Sequence, residues 1–368
     1  MNKSKRYLLF FYLITAIGIG TINAQVKSIV VDELDNSPII AASVFDASGN
    51  ILGLTDENGN LPVHTPNHYP LTIRCMSYEP QIVASPTDSI GMIACSYDLD
   101  EVVVIEGERN VLKLTCYVRE YLSMTTKNDT TISFNEHMVD VFIPRHKKAK
   151  FKGRYTPRVL KSRHYTLDKF NGKDSVSTSN NEPIWINLVK IDSTTIYEPK
   201  SFKSSNNIVK SDSVRGKYYL STISRKTPST YFVSEDKLAD VKEHKLSPWI
   251  LKVLGLSIDF TKFYATKTYL PSNNGAYKAE DLICTSMAMD AIARGKFFKK
   301  SAKSDENLDV KMLFELYIAD REFISADEAK AQCKERPNNV TFTIPKSAPK
   351  LDTKILSLIK RCNDKQNK

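Results

Sequence analysis

Along the first quarter of the chain, apolar positions come in short runs that alternate with polar residues and stop at dense turn signals. Residues 28–31 form a first run, closed by Asp35-Asn36-Ser37-Pro38, and residues 42–45 form a second, closed by Ser48-Gly49-Asn50. Residues 51–55 lead into Asp56-Glu57-Asn58-Gly59-Asn60, where Asn58-Gly59 suits the positive φ angles of a tight hairpin. Leu71, Ile73 and Cys75 alternate with Thr72, Arg74 and Met76, which puts the first set on a core side. Val102-Val103-Val104 suits a closing strand. Short strands at this spacing predict a β-sandwich over residues 25–106.

The pattern after Asn110 is less regular. Leu112, Leu114, Cys116 and Val118 alternate with Lys113, Thr115, Tyr117 and Arg119, as in a half-buried strand. Residues 131–134 and 138–143 read as two further strands, and 308–318 as another. The Ser/Asn/Lys-rich stretches 171–181 and 203–213 read as loops. Helices are expected at 235–245, capped by Ser234, at 247–254 behind Ser247-Pro248, and around 279–292. Ser325-Ala326-Asp327-Glu328 is a capping box for a helix to about 335, and a last helix is expected over 352–361. The chain therefore reads as mainly β with α+β character. The sandwich comes first, then a larger antiparallel α+β region over 107–368, with helices concentrated toward the C-terminus and a sub-boundary near 203–234.

Four stretches in the sandwich region carry a family resemblance. They are Ser37-Pro38-Ile39-Ile40-Ala41-Ala42-Ser43-Val44, Gly53-Leu54-Thr55-Asp56-Glu57-Asn58-Gly59-Asn60, Met76-Ser77-Tyr78 and Leu99-Asp100-Glu101-Val102-Val103-Val104. In this order they resemble the carboxypeptidase regulatory-like family. The resemblance implies a transthyretin-like Greek-key sandwich that is not itself catalytic and often precedes other modules of Gram-negative envelopes. Ser77 stands where the family often has glycine, and Leu61-Pro62-Val63 replaces its usual aromatic-containing strand.

The chain's first residues add a location. Lys3, Lys5 and Arg6 precede an uncharged apolar run over 7–19, and Ala24 before Gln25 suits signal peptidase. The run is shorter than the roughly 18–20 residues a spanning helix needs, so a cleaved export signal over 1–24 is expected, with no span left in the mature chain. The formal charge is +10, of which these three residues supply a part. A basic exported chain meets anionic lipids and acidic glycans, and no nucleic acid is expected. Cys75, Cys95, Cys116, Cys284, Cys333 and Cys362 are even in number but select no connectivity, and Cys333 with Cys362 is the pair to test for a bridge.

Candidate chemistry is sparse. Arg145, Lys147, Lys148, Lys150, Lys152, Arg154, Arg158, Lys161 and Arg163 form a basic stretch interleaved with His146, Phe151, Tyr155 and His164, and no acid lies between Asp140 and Asp168. It reads as a surface for an anionic ligand or as a solvated face. Asp56, Glu57 and Asn58 suit a turn better than a cation loop. His64 and His68 flank Pro66, so they do not form a rigid helical pair, and there is no HExxH. Neither a GxSxG elbow nor a phosphate loop is present, and no cofactor is implied. The expected role is a non-catalytic exported envelope protein, structural or binding, whose partner is another envelope protein, an anionic lipid or a glycan. The alternative is an unrecognised hydrolase with its site in 107–368.

Overall fold

Long stretches of period-two alternation build the dominant element, an antiparallel sheet of ten strands. The computed structural model describes residues 28–95, 97, 109–145, 157–180, 191–200, 202, 208–215, 218–239, 256–295, 307–335 and 340–366. The expected export signal and the 102–104 strand lie outside the described residues.

Six short strands open the described chain: β1 (Ile29–Asp32), β2 (Ser43–Phe45), β3 (Ile51–Leu54), β4 (Leu71–Arg74), β5 (Gln81–Val83) and β6 (Ser89–Met92). β1 pairs in parallel with β6, and the others form a sheet in the order β3-β2-β4-β5. Val30, Val44, Leu71, Ile73, Ile90 and Met92 fill the core of this unit. The 56–60 turn works through its backbone. The Asp56 carboxylate accepts from the amides of Asn58 and Asn60, both at 2.9 Å, and from the Asn60 side chain. Gly59 has φ +75°, and a Cβ there would stand 2.4 Å from the Val30 carbonyl.

The large sheet contains β7 (Val111–Thr125), β8 (Thr130–Pro144), β9 (Arg158–Phe170) and β10 (Lys173–Ser179). A small pair joins β11 (Ile196–Tyr197) to β16 (Ala276–Tyr277). The sheet continues through β12 (Ile208–Arg215), β13 (Tyr218–Lys226), β14 (Tyr231–Asp236), β15 (Leu256–Tyr269), β17 (Leu282–Gly295) and β18 (Leu308–Ile324). Its order is β10-β9-β8-β7-β18-β17-β15-β14-β13-β12. Two helices are described, α1 (Ala326–Gln332) and α2 (Thr353–Gln366), so the protein is mainly β with its helices at the C-terminal end. Ser325 caps α1 through a capping box, as its sequence predicts.

Several expected boundaries change. The two strands expected at 131–134 and 138–143 are one strand, β8. Its polar middle stays in the ladder because Glu136 is held by the Tyr117 hydroxyl at 3.0 Å and by Arg163 at 3.3 Å. The expected loop 171–181 contains β10, and Asn171-Gly172, with φ of 49° and 73°, makes its hairpin turn. The later part of the other expected loop, 203–213, is covered by edge strand β12. The helix expected at 279–292 is a short 3-10 turn followed by β17, because Met287 and Met289 face one core while Ala288 faces another. Ser234 lies inside β14 instead of capping a helix. Glu235 and Asp236 also belong to β14 and residues 237–239 form a turn, so the expected helix does not begin there; residues 240–245 and the helix at 247–254 lie outside the described residues.

Both faces of β7 are buried, not one. Leu112, Leu114, Cys116 and Val118 join Phe314, Leu316, Met287 and Met289 on one face, where Ile191, Ile196 and Phe202 also pack. Tyr117, Arg119 and Tyr121 lie on the other, beneath the six-strand unit and the C-terminal segment. Phe45, Ile51 and Leu54 of the small unit share one apolar cluster with Tyr121, Phe134 and Leu313 of the sheet, together with Ile355 and Leu358 of α2. Polar contacts fix the same seam. Arg74 of β4 makes a bidentate pair with Glu315 of β18, its Nη2 reaching Oε1 at 3.1 Å and Oε2 at 2.9 Å. The Arg74 guanidinium also lies 5.2 Å from the Tyr121 ring centre. The Ile51 amide donates to Ser123 Oγ, and Lys262 Nζ to the Leu54 carbonyl.

Because both members of the Arg74–Glu315 pair are almost fully buried, loss of one leaves the other as an uncompensated charge. Arg74→Met is expected to cost about 3–5 kcal/mol in urea unfolding, and Arg74→Met/Glu315→Leu to recover most of that loss. A double variant as unstable as the single one would contradict this.

Candidate functional site

Strand register lines up one polar residue per strand across the covered face of the sheet. Ser234, Thr266, Ser286, Glu315, Arg119, Glu136 and Arg163 are successive cross-strand neighbours from β14 to β9. Arg119 lies between the Tyr117 and Tyr317 rings, 5.1 and 5.8 Å from their centres, and donates to the Pro349 carbonyl at 2.6 Å. Glu315 is taken by Arg74, and Ser286 by Thr266.

At the β14 end this row runs into a cavity of about 160 Å³. Its floor is Ile223, Arg225, Phe232 and Ser234, and its opposite wall is formed by residues 38–40, Cys75 and Tyr78 of the small unit. Arg225 crosses the seam, pairing with Asp32 and, at 3.0 Å, with Asp35, and donating to the Tyr78 hydroxyl. That hydroxyl donates in turn to Asp32 at 2.9 Å. Two of the lining residues hold a buried polar atom without a partner, Arg225 Nε and Ser234 Oγ. Burial pushes the Cys75 thiol up to about 12, so it stays protonated at neutral pH and is a wall, not a nucleophile.

A second cavity, about 270 Å³, lies between the 47–49 turn, β9 and α2. Two of its three lining cations, Lys169, Lys354 and Arg361, are already engaged. Lys354 Nζ donates to the carbonyls of Asp46 and Pro70 and to Thr72 Oγ1, and Arg361 pairs with Asp174 at 3.1 Å.

The opposite face of the sheet carries a chain of polar contacts. The Ser162 hydroxyl lies 2.8 Å from His137 Nδ1, and His137 Nε2 lies 3.4 Å from Glu120 Oε2 without the alignment of a hydrogen bond. Asn135 Nδ2 donates to the same Glu120 oxygen at 2.9 Å, while its Oδ1 meets His164 Nδ1. His164 Nε2 is 2.6 Å from Thr166 Oγ1. A hydroxyl, an imidazole and a carboxylate in this order suit proton transfer.

The basic stretch behaves differently from a free docking surface where it is described. Arg145 pairs with Glu280 and covers the Phe323 ring, and Arg158 pairs with Asp140. Lys161 donates to the Val340 carbonyl, and Arg163 pairs with Glu136 while covering Phe342. These four cations fasten the sheet and its neighbouring segments. Lys147, Lys148, Lys150, Lys152 and Arg154 lie outside the described residues. Cys333 and Cys362 are not brought together: Cys333 packs with Val111 and Phe142, Cys362 with Leu167 and Val176, and both are free thiols. Among the described residues no three His, Cys, Asp or Glu side chains form a metal-sized group, and no helix is long and apolar enough to cross a membrane. His64 instead contacts the Pro62 carbonyl and the Tyr69 hydroxyl. Sequence reading missed Arg225 and Ser234. Arg225 lies in a polar run, Ser224-Arg225-Lys226, that reads as solvated, and Ser234 looks like a helix cap.

No family model matches the chain, and no curated protein matches it in sequence. Among solved structures, one described as lipid–protein interactions in lipovitellin aligns with 59% of this chain and 26% of its own, at 9% identity and a TM-score of 0.28. The aligned part is thus about a quarter of that chain, and so low a score says nothing about ligand or role.

Asp290 of β17, set against the small unit at Gly53, gives the seam a pH signature. Burial raises its carboxyl to about 6, outweighing the nearby Lys311 and Lys262, and its Oδ1 has no partner. The folded state therefore holds the proton more tightly than the unfolded chain, and stability falls as pH rises from about 4 to about 6. Asp290→Asn is expected to stabilise the protein by about 1–3 kcal/mol at pH 7.5 and to lose that advantage below pH 4, read from urea midpoints. An advantage independent of pH would contradict the assignment.

Proposed function

We propose that this chain is a non-catalytic, exported cell-envelope protein that binds a small ligand on a rigid β scaffold. Its first unit is, in this reading, a Greek-key sandwich of the carboxypeptidase regulatory-like kind, built into the protein as a cover for the large sheet. The carrying observation is where the space and the unsatisfied donors lie. The 160 Å³ cavity sits on the seam between the two units, and two of its lining residues, Arg225 and Ser234, each hold a buried polar atom without a partner. Pockets of this kind, apolar with a few converging polar groups, are the usual setting for small-molecule binding. The thiols of Cys75, Cys95 and Cys284 are all pushed up to about 12 by burial, which supports an unreactive scaffold. Native mass spectrometry of protein taken from the envelope fraction is expected to give a mature chain starting at Gln25 with a non-covalent small-molecule adduct. An uncleaved cytosolic chain, or a mature chain with no adduct after mild release, would overturn the proposal.

A second reading, a hydrolase using the 107–368 region, draws support from the contacts among Ser162, His137 and Glu120. His137 is fully buried within β8. Labelling of Ser162 by a fluorophosphonate, lost in His137→Gln, would favour the hydrolase over the binding protein.

A further inference from the structure

The cavity between the 47–49 turn, β9 and α2 joins an apolar floor to an excess of positive charge. We propose that it binds an amphipathic carboxylate, a fatty acid of medium length, with the alkyl part over the floor and the carboxylate on Lys169 beside Arg361. This site is separate from the seam cavity and stands independently of it.

Strand register sets floor and charge side by side. Ile132, Leu167 and Val176 are cross-strand neighbours on β8, β9 and β10. Two residues along each strand, on the same face, come Thr130, Lys169 and Asp174. α2 covers this face with Ile355, Leu358 and Cys362, which share one apolar cluster with Ile132 and Leu167. Ala47, Ser48, Ser357 and Arg361 line the cavity and are exposed, so it opens to solvent at their rim.

Charge selects an anion. Three cations line the cavity, Lys169, Lys354 and Arg361, against one carboxylate, Asp174, which Arg361 holds at 3.1 Å. Lys354 Nζ spends its three donors on the Asp46 and Pro70 carbonyls and on Thr72 Oγ1, none of which carries charge. The Asp46 carboxylate accepts from the amides of Ser48 and Asn50, and Asp352 from those of Lys354 and Ile355. Burial accordingly holds the Lys354 ammonium below the ordinary lysine range, although Asp352 and Asp46 offset part of the effect. Lys169 is partly exposed, and among the described residues its ammonium has no acceptor. A carboxylate at this end meets one free ammonium, and a guanidinium that has further N–H groups beyond the one given to Asp174.

Volume and floor set the tail. A dry cavity of roughly 150 Å³ admits benzene, so one of about 270 Å³ takes a body of about ten heavy atoms, the size of octanoate. An anion without a tail would leave Ile132, Leu167, Ile355 and Leu358 uncovered and gain nothing from them.

The test is calorimetric titration of the purified protein with octanoate, octan-1-ol and acetate. Octanoate is expected to bind about tenfold or more tighter than either of the others, and more weakly as salt is raised. Lys169→Gln is expected to weaken octanoate about tenfold, and Lys169→Arg to restore most of the affinity. Ile223→Phe, which narrows the seam cavity, is expected to leave octanoate binding unchanged. Octan-1-ol binding as tightly as octanoate would overturn the charge argument, and acetate doing so would overturn the tail. Full affinity in Lys169→Gln would overturn the placement, as would failure of any of the three to bind a chain that is folded by circular dichroism. Octanoate binding lost in Ile223→Phe and kept in Lys169→Gln would place the ligand in the seam cavity, overturning this site while the binding reading stands.

Discussion

The buried pair between Arg74 and Glu315 is the contact on which the arrangement depends. Each charge would be expensive in the interior alone, and each is tolerable only because the other arrives from a separate unit. Glu315 lies mid-strand in the row of polar cross-strand neighbours, between Ser286 and Arg119, where it could not reach water once covered. Seating the small unit therefore has a specific requirement: the β4 guanidinium must meet the β18 carboxylate in register. The apolar surface around them, from Phe45 and Leu54 to Tyr121 and Leu313, supplies the non-directional drive, and the ion pair selects the one position.

That constraint explains the unusual polarity of the sheet. A strand covered on one face alternates apolar and polar, whereas β7 and β8 alternate apolar with buried polar residues. The polar set is satisfied by reaching across: Tyr117 to Glu136, Arg119 to Pro349, Arg163 to Glu136. Where the row runs out beneath the edge of the small unit, satisfaction is incomplete, and the seam cavity with Arg225 and Ser234 lies there. The site and the docking of the two units are thus consequences of the same register.

Legibility in the sequence followed the physics of each segment. The strands β7 and β18 and the helix α1 were readable because alternation and the Ser325–Glu328 capping box are local signals. β17 was misread because Ala- and Met-rich sequence favours helix when tertiary contacts are unknown, and here both faces of the segment are claimed by cores. β10 was misread because Ser and Asn suggest a loop, although Asn171-Gly172 carried a hairpin signal. The basic stretch drew attention by density of charge, yet Arg145, Arg158, Lys161 and Arg163 serve intramolecular partners. Arg225 and Ser234 gave no local sign at all, because their significance arises only when residues nearly two hundred positions apart, such as Asp35 and Arg225, are folded together.

The central claim is that the six-strand unit and the ten-stranded sheet are one cooperative structure joined at the seam. Native-state hydrogen exchange in increasing urea measures this directly, by comparing the amides of Leu71–Arg74 with those of β18 near Glu315. Both sets are expected to exchange through the same opening, with one free energy and one urea dependence. Loss of protection in β4 at lower urea, while β18 stays protected, would contradict it.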